Sequence, residues 1–247
     1  MARVSDPCAE PNRYARKPNI EAEIFGASIR PTALVQSVPV LQTRPVARIQ
    51  NIVFDIGKVL IDFDYTRLLA FLDDHGIEYE DLDDLMSKMD LIRYERGEMS
   101  SDEFLENLGG LLKSPANRDD LFRVWTQIFF PVPEMLKAAE QLTAQHRVYL
   151  LSNTSDLHWE YIKQKFRLHE LTHGTIVSHE VGARKPDEEI YRIAEQELSL
   201  RPMETVFIDD LKENAAAAEH CGWHAIHHKS PRETLPELQA MFSGVGD

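Results

Sequence analysis

Short runs of consecutive apolar residues alternate, over most of this chain, with stretches in which apolar positions recur every three or four residues. The runs at 49–55 (IQNIVFD), 148–152 (VYLLS), 175–178 (TIVS), 205–209 (TVFID) and 223–227 (WHAIH) predict β-strands. Most are apolar enough on both faces to lie inside a parallel sheet. Helical segments separate them. Pro186, followed by Asp187, Glu188 and Glu189, predicts a helix start with proline first and acids against the positive end of the dipole. Gly222 predicts the end of an alanine-rich helix that begins near Asn214. Strand and helix in alternation predict an α/β core, doubly wound around a parallel sheet.

The stretch between the first two of these strands carries no strand signal and is far too long for a crossover connection, so it predicts an inserted domain. Its apolar residues fall at helical spacing in Leu68, Leu69 and Leu72, and again in Leu82, Leu85, Met86 and Met89. Ser100 with Glu103 forms a capping box ahead of Phe104, Leu105 and Leu108. Further helices are predicted at 117–129 and 134–146, the second returning to the core. The division that results is a helical insertion at 65–131, within a core made of 48–64 and 132–247.

The first fifty residues break this rhythm. They hold six of the thirteen prolines and seven basic residues against four acidic, with no sustained apolar period. Residues 1–47 read as a poorly ordered extension. Asp6, Glu10, Glu21 and Glu23 argue against a transit peptide, and no apolar signal-peptide core follows the first basic residues.

Charge narrows the partners. With 27 Lys and Arg against 41 Asp and Glu, the net charge of −14 repels polyanions and disfavours nucleic acid. No apolar run is long enough to span a bilayer, so no membrane partner is expected. Cys8 and Cys221 suit neither a disulfide framework nor a zinc site, and a reducing cytoplasm is the default expectation. The oligomeric state is not legible.

In an open parallel sheet, ligands bind beyond the carboxyl ends of the strands. The residues ending these predicted strands are Asp55, Ser152 and the pair Asp209–Asp210, and Lys185 lies in a loop before a helix. Carboxylates in this arrangement suit a hard divalent cation such as magnesium. Lys185 supplies a point charge for phosphate oxygens, while Ser152 and backbone N–H groups around Asn153 supply donors. Such a set can carry phosphoryl transfer, which needs mainly positioning and charge neutralisation, with an aspartate as nucleophile.

The segment 53–60 (VFDIGKVL) resembles the first motif of the haloacid dehalogenase (HAD) superfamily, and 150–154 (LLSNT) resembles the second. Arg184-Lys185-Pro186 is similar to the third, and 207–210 (FIDD) to the fourth. The resemblance covers about 49–228 and implies a Rossmann-like core with a helical cap closing over a small phosphorylated substrate. It implies Asp55 as nucleophile and metal ligand, Ser152 and Asn153 as phosphate binders, and Lys185 as the bridging cation. Asp209 and Asp210 become the acidic metal pair, with Asp210 the more direct ligand and Mg2+ the cofactor. Asn214 is a candidate supporting residue one helical turn on.

One position departs from the pattern. Most HAD phosphatases carry a second aspartate two residues after the nucleophile, where this chain has Gly57. Glycine keeps the backbone carbonyl that contacts the metal and loses the proton donor, an effect worth roughly 10²- to 10⁴-fold. Lys58, Asp62, Asp64 or a cap residue are the candidate replacements. The run 54–60, with Tyr94-Glu95-Arg96-Gly97-Glu98, resembles a subgroup that includes α-D-glucose-1-phosphate phosphatase and shares the glycine. Arg93 and Arg96 are candidate cap contacts for substrate, with ion pairs to Asp90 or Glu95 as the alternative. A 2-haloacid dehalogenase also lacks the second aspartate, but has no use for Asp209–Asp210 as metal ligands. A binding module with lost turnover is the third reading. His224, His227 and His228 read as a polar strand end, and Trp125, Trp159 and Trp223 as packing.

Overall fold

The computed structural model describes residues 48–243, so the segment read above as an extension lies outside the described residues. The chain enters β1 (Asn51–Phe54), makes a short β2 (Ile61–Phe63), and passes into five helices. These are α1 (Thr66–Asp74), α2 (Leu82–Lys88), α3 (Leu91–Glu95), α4 (Ser101–Gly110) and α5 (Arg118–Thr126). It returns through β3 (Phe129–Pro131) and α6 (Pro133–Leu142) to β4 (Arg147–Ser152) and α7 (Asp156–Lys165). Then follow β5 (Thr175–Val177), α8 (Ser178–Val181), α9 (Glu188–Glu197), β6 (Thr205–Asp209), α10 (Lys212–His220), β7 (His224–His227) and α11 (Pro231–Ser243).

The main sheet is parallel throughout, in the order β5-β4-β1-β6-β7. Strand β1 is central, and the chain winds first to one side of it and then to the other, so the α/β, doubly wound, Rossmann-like expectation holds. Because strand side chains alternate between faces, β1 feeds two cores. Ile52 and Phe54 pack with Leu150, Ile208, Met135 and Trp159 on one face. Val53 packs with Leu151, Phe207, Tyr191 and Trp223 on the other.

A third cluster belongs to the helical segment. Leu68, Leu72, Leu85, Met89, Phe104, Leu108 and Trp125 are buried together, at the spacings expected for one apolar stripe per helix. Three helix starts are capped by their own sequence, since the side chains of Asp81, Ser100 and Asn117 accept from the N–H groups of Asp84, Glu103 and Asp120. An aromatic stack binds this cluster to the sheet side: Tyr94 on Phe104 (4.2 Å), Phe104 against Trp125 (4.7 Å), and Trp125 on His158 of α7 (4.3 Å).

The structure corrects several boundaries. Strands β2 and β3 pair antiparallel at the two ends of the helical segment, where no strand was expected. Three residues are too few to establish an alternating pattern, and Pro131 argues against one. Helix α5 ends at Thr126 rather than 129 because Phe129 belongs to this ribbon. Helix α6 ends at Leu142. Helix α9 begins at Glu188, with Asp187 as its N-cap, so Pro186 lies before the helix rather than inside its first turn. Helix α10 starts at Lys212, two residues before Asn214, and Gly222 takes a φ of +90° beyond its end, a conformation that favours glycine.

Candidate active site

Parallel register sets the level of the site. Phe54 pairs with Ile208 on one side and Leu150 on the other, so Asp55, Asp209 and Ser152 emerge together at the carboxyl edge. The Asp55 N–H donates to the Ile208 carbonyl at 2.9 Å, which continues the ladder one residue past β1. Lys185 arrives from the loop before α9. Its Nζ lies 2.8 Å from Asp55 Oδ1 and 2.6 Å from Asp209 Oδ2, and all three groups are buried.

Two asparagines hold this arrangement. Asn153 clamps the Lys185 backbone from both sides, accepting from its N–H at 2.8 Å and donating to its carbonyl at 2.9 Å. Asn214, buried on α10, donates to both oxygens of Asp209 at 3.0 and 3.1 Å, and Leu211 N–H adds a third donor at 2.8 Å. The loop after β4 is pinned in turn, since Thr154 N–H donates to Ser178 Oγ, which donates back to the Thr154 carbonyl.

One carboxylate oxygen each from Asp55, Asp209 and Asp210 lie within 4.8 Å of one another. Three carboxylates against one ammonium leave an excess of two negative charges, which a divalent cation with a preference for oxygen ligands would balance. Burial pushes the Asp55 carboxyl up to about 7, although Lys185 pulls it back. Asp210 is raised by burial and by Asp209. For Lys185, burial works against the charged form, and the two carboxylates overcome it and hold the ammonium above its ordinary range. The donor set therefore fits a metal such as magnesium. Asp209 is heavily occupied by Lys185, Asn214 and Leu211, whereas Asp210 is only partly buried and makes no such set of bonds.

A cavity of about 120 Å³ begins at Ile56 and Gly57, next along the chain from Asp55, and is not lined by Asp55, Lys185, Asp209 or Asp210 themselves. Gly57, Ser152, Asn153 and Thr154 line it from the sheet edge. Tyr65, Glu95, Phe129 and His158 line it from the other elements. Ser152 is buried, and among the described residues its Oγ makes only a long 3.5 Å contact with the next carbonyl, so its hydroxyl is available to a ligand. A Cβ built on Gly57 would meet Phe63 at 3.4 Å, an ordinary contact, so crowding does not explain the glycine.

The candidate replacement acids are committed elsewhere. Lys58 Nζ donates to Asp62 Oδ1 (2.5 Å) and to the Phe63 carbonyl (2.9 Å). Asp64 accepts from the N–H and hydroxyl of Thr66, which hold its carboxyl below the usual range. Neither Arg93 nor Arg96 lines the cavity. Arg93 pairs with Asp90 at 2.8 Å, as the alternative reading had it, while Arg96 reaches Asp187 of the core at 3.0 Å rather than Glu95.

Sequence reasoning passed over Glu95, Tyr65 and His158 as cavity-lining residues. Glu95 was weighed only as an ion-pair partner, and it does pair, but with Arg184 at 2.8 Å. Nothing in a five-residue helix such as α3 says which side faces a neighbouring domain. The histidines of β7 are a polar strand end: His227 meets the Asp210 carbonyl at 3.0 Å, and His228 is buried against the Thr234 hydroxyl at 2.8 Å.

Strand order, the carboxyl-edge cluster and the helical insertion define a doubly wound, Rossmann-like α/β protein with its candidate site at the topological switch point. Residues 49–222 match the family model for haloacid dehalogenase-like hydrolases, and the chain belongs to that family. It is 26% identical over 204 residues to a D-ribitol-5-phosphate phosphatase of Bacteroides thetaiotaomicron, covering 79% of this chain and 99% of that one. It is 26% identical over 191 residues to a sesquiterpene phosphatase of Aspergillus oryzae, covering 76% and 94%. A HAD family enzyme of B. thetaiotaomicron, solved in complex with magnesium and inorganic phosphate, superposes with a TM-score of 0.69 at 25% identity, over 77% of this chain and 98% of that one. None of the described helices is long and apolar enough to cross a membrane.

Proposed function

We propose that this chain is a magnesium-dependent phosphatase that hydrolyses a small phosphorylated metabolite, a sugar phosphate in first place, with Asp55 as nucleophile. The observation that carries the reading is the sharing of Lys185 Nζ between Asp55 and Asp209, with Asp210 close by. The phosphatase relatives and the magnesium and phosphate in a structural neighbour support it. We take 48–64 and 132–247 as the catalytic core and 65–131 as its cap.

In this reading Asp55, Asp210 and the Gly57 carbonyl would hold the metal, while Asp209, whose oxygens are taken up by Lys185, Asn214 and Leu211, adds its charge beside them. Magnesium, when bound, offsets the repulsion between carboxylate and phosphoryl oxygens. Asp55 Oδ1 already accepts from Lys185 and from Ile56 N–H, which leaves Oδ2 as the oxygen that attacks phosphorus. The P–O bond to the leaving group breaks, the phosphoryl group passes to Asp55, and water then cleaves the aspartyl phosphate. Lys185 and the Ser152 hydroxyl hold the phosphoryl oxygens through both steps. Gly57 supplies no proton, so leaving groups that depart without protonation, such as sugar 1-phosphates and acyl phosphates, turn over fastest.

The test is a panel of sugar phosphates, an acyl phosphate and an aryl phosphate, assayed with magnesium and with EDTA, alongside Asp55→Asn. Turnover that requires magnesium and vanishes in the variant is expected. Turnover that survives the substitution removes the nucleophile, and turnover indifferent to chelator removes the metal.

A further inference from the structure

The helical segment places one acidic side chain on the cavity it shares with the sheet edge. Glu95, the last residue of α3, lines that cavity together with Gly57 and Ser152, and its carboxylate accepts from Arg184 NH2 at 2.8 Å. Glu95 also borders a second, outer cleft, where Arg184 joins it, so Glu95 faces both spaces. Its position is tightly determined. Two residues on, a Cβ at Gly97 would fall 2.1 Å from the His179 carbonyl, so the backbone of the helical segment presses directly on the core at this point. Arg96–Asp187 at 3.0 Å adds a further link across the same seam.

Glu95 has more hydrogen-bonding capacity than Arg184 uses. An ionised carboxylate accepts about four bonds, and among the described residues only Arg184 donates to it. The Tyr65 hydroxyl, on the same cavity, has no partner among the described residues. Burial and the charge of Glu95 push that phenol up to about 12, so it stays protonated and free to donate. Arg184 Nε is buried and likewise has no partner among the described residues. A cavity whose wall carries an underused carboxylate and an unspent phenol is built for a ligand with hydroxyl groups, which both donate and accept. An apolar leaving group would leave these groups unpaired, and that omission is costly.

We propose that Glu95, held by Arg184 and assisted by the Tyr65 hydroxyl, is the specificity-determining residue for the leaving group, accepting hydrogen bonds from a polyhydroxylated alcohol such as a pentitol or sugar. This rests on the phosphatase reading above and adds to it the residues that read the substrate. Arg184 is a positioning residue, since it acts through Glu95.

The experiment measures kcat/KM for a pentitol phosphate and for acetyl phosphate, which has no hydroxyl groups, in wild type, Glu95→Gln and Tyr65→Phe. Glu95→Gln is nearly isosteric and Tyr65→Phe removes one oxygen, so the two variants guard against loss of the fold. We expect the ratio of pentitol phosphate to acetyl phosphate to fall about tenfold or more in Glu95→Gln, and several-fold in Tyr65→Phe, mostly through KM. If both substrates slow in equal proportion, Glu95 only fastens the helical segment to the core and the inference is overturned. If wild type turns over neither phosphate, the phosphatase reading falls and takes this inference with it.

Discussion

The sheet edge and the helical segment are held together by different forces. At the edge, Asp55, Lys185, Asp209 and Asn214 are buried polar groups joined by short directed bonds. Each has a fixed partner, and a lost partner leaves a buried group unsatisfied. In the helical segment, Tyr94, Phe104 and Trp125 are held mainly by ring stacking, with polar links to the sheet side that include Glu95–Arg184, Arg96–Asp187, Leu157 N–H to the Tyr94 hydroxyl and His158 to the Trp125 carbonyl. Chemistry and stability are therefore expected to separate: substitutions at the edge change turnover and metal binding, and substitutions in the stack change folding.

Trp125→Ala should show the largest effect on stability. The side chain is fully buried between Phe104 and His158, and its removal is expected to cost about 3–5 kcal/mol in a urea titration. Magnesium affinity, measured by calorimetry on the folded fraction, should change little. A large loss of magnesium affinity would mean that the two regions are not separable.

Asn214→Ala sharpens the comparison from the other side. Asp209 loses the donor shared by both its oxygens, and magnesium affinity should weaken by roughly 10- to 100-fold, as expected when a supporting hydrogen bond to a metal-site residue is removed. Unchanged affinity would show that Leu211 N–H and Lys185 alone position Asp209.

The seam between the regions carries a pH signature. Burial pulls His158 from its ordinary 6.5 down to about 4, against the pull of its bond to the Trp125 carbonyl. The folded chain therefore keeps a neutral ring where the unfolded chain takes up a proton. The group costs nothing above about pH 6.5 and lowers stability progressively as pH falls toward 4, by about 3 kcal/mol. Urea midpoints across this window should fall less steeply in His158→Gln than in wild type. Equal slopes would mean that other groups account for the acid sensitivity.

The two regions were also unequally legible. Asp55, Ser152 and Asp209 could be placed because each ends an apolar run, and parallel register then forces strand ends to one edge. Lys185 could be placed in a loop before a helix but its aim could not, because the bonds from Asn153 that direct it are long-range and invisible to local pattern. The helices of the inserted segment were legible from Leu68, Leu72, Ser100 and Glu103, yet their facing was not. Arg93 and Arg96 drew attention as cations near a possible phosphate, while the cavity is lined by Glu95, a neighbour on the same short helix. The β2–β3 ribbon stayed hidden because three-residue strands are defined by their partner rather than by their own composition.

The central claim is a phosphoryl group carried on Asp55, and the direct measurement is acid-quench labelling with a substrate bearing radioactive phosphate. Wild-type chain mixed with magnesium and substrate, and quenched within a turnover, should retain acid-stable label that maps to the peptide containing Asp55 and is absent in Asp55→Asn. Turnover with no protein-bound label at any quench time, or label retained by the Asn variant, would contradict the account.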